Sequence, residues 1–157
     1  MYTRHLTFED QNAFARMLAS YFRDDLKKDW PEEIIRERIA GLILKQYEDG
    51  LIRILLAFQQ ETPVGFAVYQ FDSANSDWCK RPGWGFIREF HISRPFRAAG
   101  FGRFLAAETE RCLRDTGAEN VYLTTSEALP FWLRCGYSPE EIPVSDGMHS
   151  LSKKLME

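Results

Sequence analysis

The chain has 157 residues, 45% hydrophobic and 14% aromatic, and its 20 basic and 23 acidic residues leave a net charge of -3. One domain over 1-157 with a real core is expected, and the absence of repeats or low-complexity tracts excludes a disordered or solenoid chain. The acidic balance argues against a nucleic-acid binder, and no stretch reads as a secretory leader or a membrane span, so the expectation is a cytoplasmic protein with no membrane partner.

In chain order, residues 2 to 6 alternate weakly like a short strand, and Thr7-Phe8-Glu9-Asp10 has the Thr-x-x-acid form of a helix start. The spacing predicts a helix to about Phe22, a loop over 23-30, and a second helix from Pro31 that carries Ile34/Ile35, Ile39, Leu42/Ile43 and Tyr47 and stops at Gly50. Residues 52-59 and 64-71, rich in branched and aromatic side chains and separated by QETP, predict an antiparallel hairpin. A long polar loop with Trp78 and Trp84 follows, then a strand over 86-92 with Ile87, Glu89 and His91 on one face. Next come a helix from Phe101 stopped by Gly117, a strand over 121-126, a short helix within 128-136, and a two-stranded finish ending on MHSLSKKL. The order describes a mixed α/β domain with one strand-helix-strand crossover. Cys79, Cys112 and Cys135, an odd set without paired close spacing, read as reduced thiols rather than a disulfide framework or a metal site.

Positive charge is concentrated in one place. From Lys80 to Arg103 six basic residues stand against the single acid Glu89, leaving 14 basic and 22 acidic residues elsewhere. At its centre Arg97-Ala98-Ala99-Gly100-Phe101-Gly102 joins a strand to an amphipathic helix, where unpaired backbone N-H groups and the helix dipole suit an anion. By spacing alone the segment is either a tight basic turn or a phosphate cradle. The P-loop pattern is absent, and Gly100-Phe101-Gly102 lacks the third glycine of a dinucleotide fingerprint.

Arg97-Ala98-Ala99-Gly100-Phe101-Gly102 resembles the Arg/Gln-x-x-Gly-x-Gly/Ala signature of the GCN5-related N-acetyltransferase (GNAT) family. Ala128-x-x-Phe131-Trp132-x-x-x-Gly136-Tyr137 is similar to a later motif of the same family, and the order of elements follows it too. The resemblance implies a mixed, mainly antiparallel sheet with a central splayed parallel strand pair, flanked by helices on both faces. It also implies acetyl-CoA as cosubstrate, without a metal. The diphosphate would lie on the backbone of Arg97, Ala98, Ala99, Gly100, Phe101 and Gly102, with Arg103 beside it. The pantetheine arm would lie between the two central strands, near Thr125, Phe131 and Trp132, and a main-chain N-H near Ile92 would polarise the thioester.

Transfer to an amine needs a neutral nucleophile, donors for the developing oxyanion and a proton for the leaving thiolate. Glu89 and His91 are the candidate bases, with an ion-paired glutamate and a hydrogen-bonded strand histidine as the structural alternatives. The family's usual acid tyrosine is replaced by Trp132, whose indole donates a hydrogen bond but is no practical acid. Tyr137, Tyr122, Ser126 or water are left for that role. Trp78 and Trp84 either line an acceptor pocket or pack on the sheet, and Asp24, Asp25 and Asp29 either favour a cationic amine or, since Lys27 and Lys28 dilute that field, form a solvated loop. The expected activity is direct acetyl transfer to an amine of a small molecule or protein, by a monomer or homodimer. A non-catalytic acyl-CoA-binding or sensing module and a transferase of another acyl group are the alternatives.

Overall fold

Asp10 starts the first helix as the Thr-x-x-acid form requires. Its Oδ2 accepts from the Thr7 N-H at 2.7 Å and the Thr7 hydroxyl at 2.8 Å. Arg4, on strand β1 (Tyr2–His5), donates to the same carboxylate at 2.6 Å. The Arg4 hydrogen bond, opposed by partial burial and helped by Thr7, lowers the Asp10 carboxyl from 3.8 to about 2. Helix α1 (Gln11–Ser20) buries Phe14, Ala15, Met17, Leu18 and Ala19 on one face.

Two differences from the expected boundaries concern π-helical turns. Instead of ending at Phe22, α1 continues into such a turn over Tyr21–Asp25, where the Leu26 N-H bonds to Tyr21 O at 3.0 Å, five residues back. Asp24 and Asp25 are therefore helical rather than part of a loop. The second helix comprises α2 (Glu32–Ile34), a π-helical turn Ile35–Ile39 and α3 (Ala40–Glu48). The hairpin of β2 (Arg53–Gln59) and β3 (Thr62–Phe71) closes over Gln60 and Glu61 alone, with Gln60 taking a left-handed φ of 54°.

The remaining elements are β4 (Gly85–Ile92), a 3-10 turn Arg94–Phe96, α4 (Phe101–Thr116), β5 (Asn120–Thr125), α5 (Leu129–Arg134), β6 (Ser138–Pro139) and β7 (His149–Lys154). The structure, a computed structural model, describes residues 1-74, 80-145 and 147-155. Trp78 and Cys79 lie outside the described residues. Among the described residues seven strands form one mixed sheet in the order β1-β2-β3-β4-β5-β7-β6, with β4 and β5 parallel and helices flanking it. This is the architecture that the sequence leads one to expect.

The chain divides into two compact units, Met1–Val68 with Glu89–Leu105 and Tyr69–Arg88 with Ala106–Glu157. In the first, the apolar faces of α1, the second π-helical turn and α3 share one core with β2 and β3, including Phe14, Leu18, Ile35, Ile54, Leu56 and Phe66. Burial of each large side chain there contributes about 1.5–3 kcal/mol. Phe14 meets Phe66 edge-on at 5.1 Å. Gly65 on β3 allows a close backbone approach to β4, because a Cβ there would stand 2.5 Å from His91 O and 2.6 Å from Ile92 Cδ1. Next to it the Ser93 N-H donates to Val64 O at 2.7 Å.

In the second unit β5 and β7 pair antiparallel from Asn120↔Lys154 to Thr125↔His149, and β4 begins parallel to β5 at Gly85↔Val121 and Phe86↔Tyr122. Asp72, fully buried, accepts from Gln70 Nε2, the Tyr122 hydroxyl and the N-H groups of Lys80 and Arg81. Arg81 makes two parallel bonds to Glu140 at 3.0 and 2.9 Å and lies over the rings of Trp84 and Tyr122. Trp84 is thereby packed against Arg81 and Tyr122, with ring centroids 6.2 Å apart in the aromatic pair.

Candidate active site

The first unit holds the glycine loop. After the 3-10 turn the backbone reaches Arg97 in an extended conformation, passes through the left-handed region at Ala98 (φ 63°) and enters it again at Gly100 (φ 88°). Left-handed backbone is costly for alanine and easy for glycine, and it redirects successive amides along the loop. The first helical bond of α4 runs from the Phe104 N-H to Gly100 O at 3.1 Å. The N-H groups of Phe101, Gly102 and Arg103 consequently have no acceptor within the helix, at the end where the dipole favours negative charge. Phe101 is buried and meets Phe96 edge-on at 5.9 Å, fixing the helix start, while Ala98, Ala99, Gly100 and Arg103 are exposed.

Arg97 turns away from the loop that it begins. Its Nε donates to Ile92 O at 2.7 Å, and one terminal nitrogen is 2.8 Å from each oxygen of Asp25. Asp25 Oδ2 is also 2.7 Å from His91 Nδ1. Burial alone would raise the Asp25 carboxyl, but hydrogen bonds from His91 and Arg97 outweigh it and hold the group below the ordinary carboxylate value. Four residues earlier in the same π-helical turn, the Tyr21 hydroxyl donates to Glu89 Oε2 at 2.8 Å. Burial foremost, then the Glu89 charge, pushes the Tyr21 phenol well up. The structure thus brings Glu89, His91, Ile92 and Arg97 together with Tyr21 and Asp25, two residues that the sequence did not link to them.

The second unit holds the late motif. Thr125 Oγ1 accepts from the Ala128 N-H at 3.1 Å, and Trp132 N-H bonds to Ala128 O at 3.1 Å in the first turn of α5. Trp132 is buried, edge-on to Phe131 at 4.9 Å and to Tyr137 at 5.2 Å. The buried Tyr137 hydroxyl donates to Glu110 Oε2 at 2.9 Å, and Lys153 Nζ donates to Glu110 Oε1 and to Cys135 O, both at 2.9 Å. Burial and the neighbouring Glu110 charge push the Tyr137 phenol far above its usual range. Tyr122 is likewise engaged, as a donor to Asp72.

A glycine-bearing loop between the β4 strand and the α4 helix, in a mixed sheet with a parallel β4-β5 pair, is the arrangement of an acyl-coenzyme A transferase domain. The model of the acetyltransferase (GNAT) family matches residues 14-137, and the chain belongs to that family. Among solved structures, PaiA N-acetyltransferase from Thermoplasma acidophilum in complex with coenzyme A is 16% identical with a TM-score of 0.75, over 98% of each chain. Ribosomal-protein-alanine N-acetyltransferase from Brucella melitensis is 15% identical with a TM-score of 0.72, over 98% of this chain and 99% of its own. An aminoglycoside 6'-N-acetyltransferase complexed with coenzyme A is 12% identical with a TM-score of 0.75, over 100% of this chain and 98% of its own. A search of curated protein sequences finds no match. Among the described residues no helix is long and apolar enough to cross a membrane, and no group of three or more His, Cys, Asp or Glu side chains is arranged to hold a metal.

Proposed function

We propose that this protein transfers an acetyl group from acetyl-CoA to an amine by direct attack. The observation that carries the reading is the paired left-handed backbone at Ala98 and Gly100 immediately before α4. A non-glycine residue held in that conformation costs about 1–3 kcal/mol and calls for a role that the loop shape serves. Amides of Arg97 to Gly102 and Arg103 would receive the diphosphate. Thr125, Phe131 and Trp132 would line the path of the pantetheine arm, and the Ile92 N-H would face the thioester oxygen. The cosubstrate supplies an activated acetyl thioester.

Proton transfer from the acceptor falls to Glu89 or His91, which share a face of β4. Tyr137 is a poor donor to the departing sulfur, since Glu110 holds its hydroxyl and its phenol is pushed far up. We therefore assign that proton to solvent. The acceptor class is a primary amine of a small molecule or a protein, in keeping with enzymes of the same fold named for an aminoglycoside and for a ribosomal protein.

The test is calorimetric titration with acetyl-CoA followed by a panel of amines with detection of free thiol. Binding with thiol release on an amine is expected. Binding without release on any amine would reduce the protein to an acyl-CoA-binding module, and absence of binding would contradict the reading.

A further inference from the structure

We propose that Asp25 is a positioning residue that fixes His91 as the Nδ1-H tautomer, so that Nε2 is the atom that takes the acceptor's proton. The inference rests on the acetyl-transfer reading above. A carboxylate only accepts hydrogen bonds, so in the neutral ring the nitrogen facing Asp25 Oδ2 at 2.7 Å carries the hydrogen and the lone pair lies on Nε2.

His91 is 3% exposed, and among the described residues its Nε2 is the buried side-chain atom that lacks a hydrogen-bond partner. A buried polar atom left unmet is unfavourable, and retaining one calls for a role. Asp25 and Tyr21 face the His91 ring from the π-helical turn, Tyr21 with ring centroids 5.7 Å apart, and the uncharged Phe66 faces it from β3 at 5.4 Å. On its own strand Glu89 has Oε2 occupied by the Tyr21 hydroxyl. Arg97 completes the set through Asp25 and ties the pair to the glycine loop, because the same side chain holds Ile92 O.

In the step itself the acceptor nitrogen first loses a proton from its ammonium form to solvent and attacks as a neutral amine. As its bond to the acetyl carbon forms, its second proton passes to Nε2. The carbon-sulfur bond breaks with its electron pair staying on sulfur, which is protonated from solvent, and His91 later returns its proton to solvent. Asp25 keeps its charge throughout, between the His91 and Arg97 donors that face it.

The experiment is nitrogen-15 NMR of histidine-labelled protein without cosubstrate, alongside kinetics of Asp25→Asn and Asp25→Glu. The Nδ1-H form of His91 is expected in the wild type, with acid titration at Nε2 that coincides with the acid limb of kcat/KM. Asp25→Asn should move His91 toward the Nε2-H form and lower kcat roughly 100-fold, and Asp25→Glu should restore part of it. Coenzyme A affinity in both variants should stay within about twofold, which separates loss of positioning from loss of binding. An Nε2-H tautomer in the wild type, or an unchanged kcat and pH profile in Asp25→Asn, would overturn the proposal. Should Asp25→Asn fail to fold, the wild-type tautomer and the match of the two pH curves decide. A wild-type protein that binds no coenzyme A would defeat the acetyl-transfer reading instead, and the tautomer measurement does not depend on that binding.

Discussion

Tyr21 and Glu89 are joined by a 2.8 Å hydrogen bond from the phenol of a π-helical turn to a carboxylate on β4. Tyr21→Phe removes a donor to a charged group, and a loss of about 1.5–3 kcal/mol is expected in urea unfolding. Burial and the Glu89 charge raise this phenol above its ordinary value of 10.0. Its contribution is therefore fully present below pH 10 and falls as the pH rises further, because the unfolded chain ionises first. Stability measured from pH 8 to 11 should decline less steeply in Tyr21→Phe than in the wild type.

Gly65→Ala sets a Cβ 2.5 Å from His91 O, a contact that neither backbone relieves without moving. The expected result is a loss of about 1–3 kcal/mol, as for other overpacked sites, with a lower kcat because His91 and Ile92 shift together. Unfolding curves and steady-state kinetics on the same preparation check both parts.

The fold was legible because its signals are local. The branched and aromatic runs of β2 and β3, the amphipathic face of α4 and the motifs at 97-102 and 128-137 are each signals carried by residues close in the chain. The presence of Glu89 and His91 on one strand face was equally legible. Asp25 was not, since the tract around it, RDDLKKD, has the composition of a solvated loop, and its partners His91 and Arg97 are 66 and 72 residues away. Asp72 was hidden similarly, appearing as the first polar residue after a strand although the fold closes on it through Tyr122, Gln70 and two backbone amides. Part of the basic cluster is engaged within the protein, since Arg81 pairs with Glu140 and Arg97 with Asp25.

Tyr137→Phe removes the hydroxyl from Glu110 while leaving Lys153 on the same carboxylate. A destabilisation of about 1–3 kcal/mol is expected, with the alkaline limb of kcat unchanged. Disappearance of that limb would return Tyr137 to the role of acid.

Asp10→Asn replaces the carboxylate that ties Arg4 and Thr7 to the first helix. The cost at neutral pH should be about 1 kcal/mol, in the range of a helix-capping residue rather than of a buried ion pair. The wild-type carboxyl titrates at about 2 rather than 3.8. This contribution is therefore present above pH 3.8 and disappears as the pH falls toward 2, so acid unfolding of the variant should be less steep over that interval.

The most direct test of the central claim is the affinity for coenzyme A of the wild type and of Gly102→Glu, measured by calorimetry with melting temperatures recorded in parallel. Gly102 lies in the first turn of α4, so bulk and negative charge there oppose a diphosphate at the helix start. Binding by the wild type and its loss in a variant that melts as a folded protein is the predicted result. Equal affinity in the two proteins, or no binding by the wild type, would contradict the assignment of the loop.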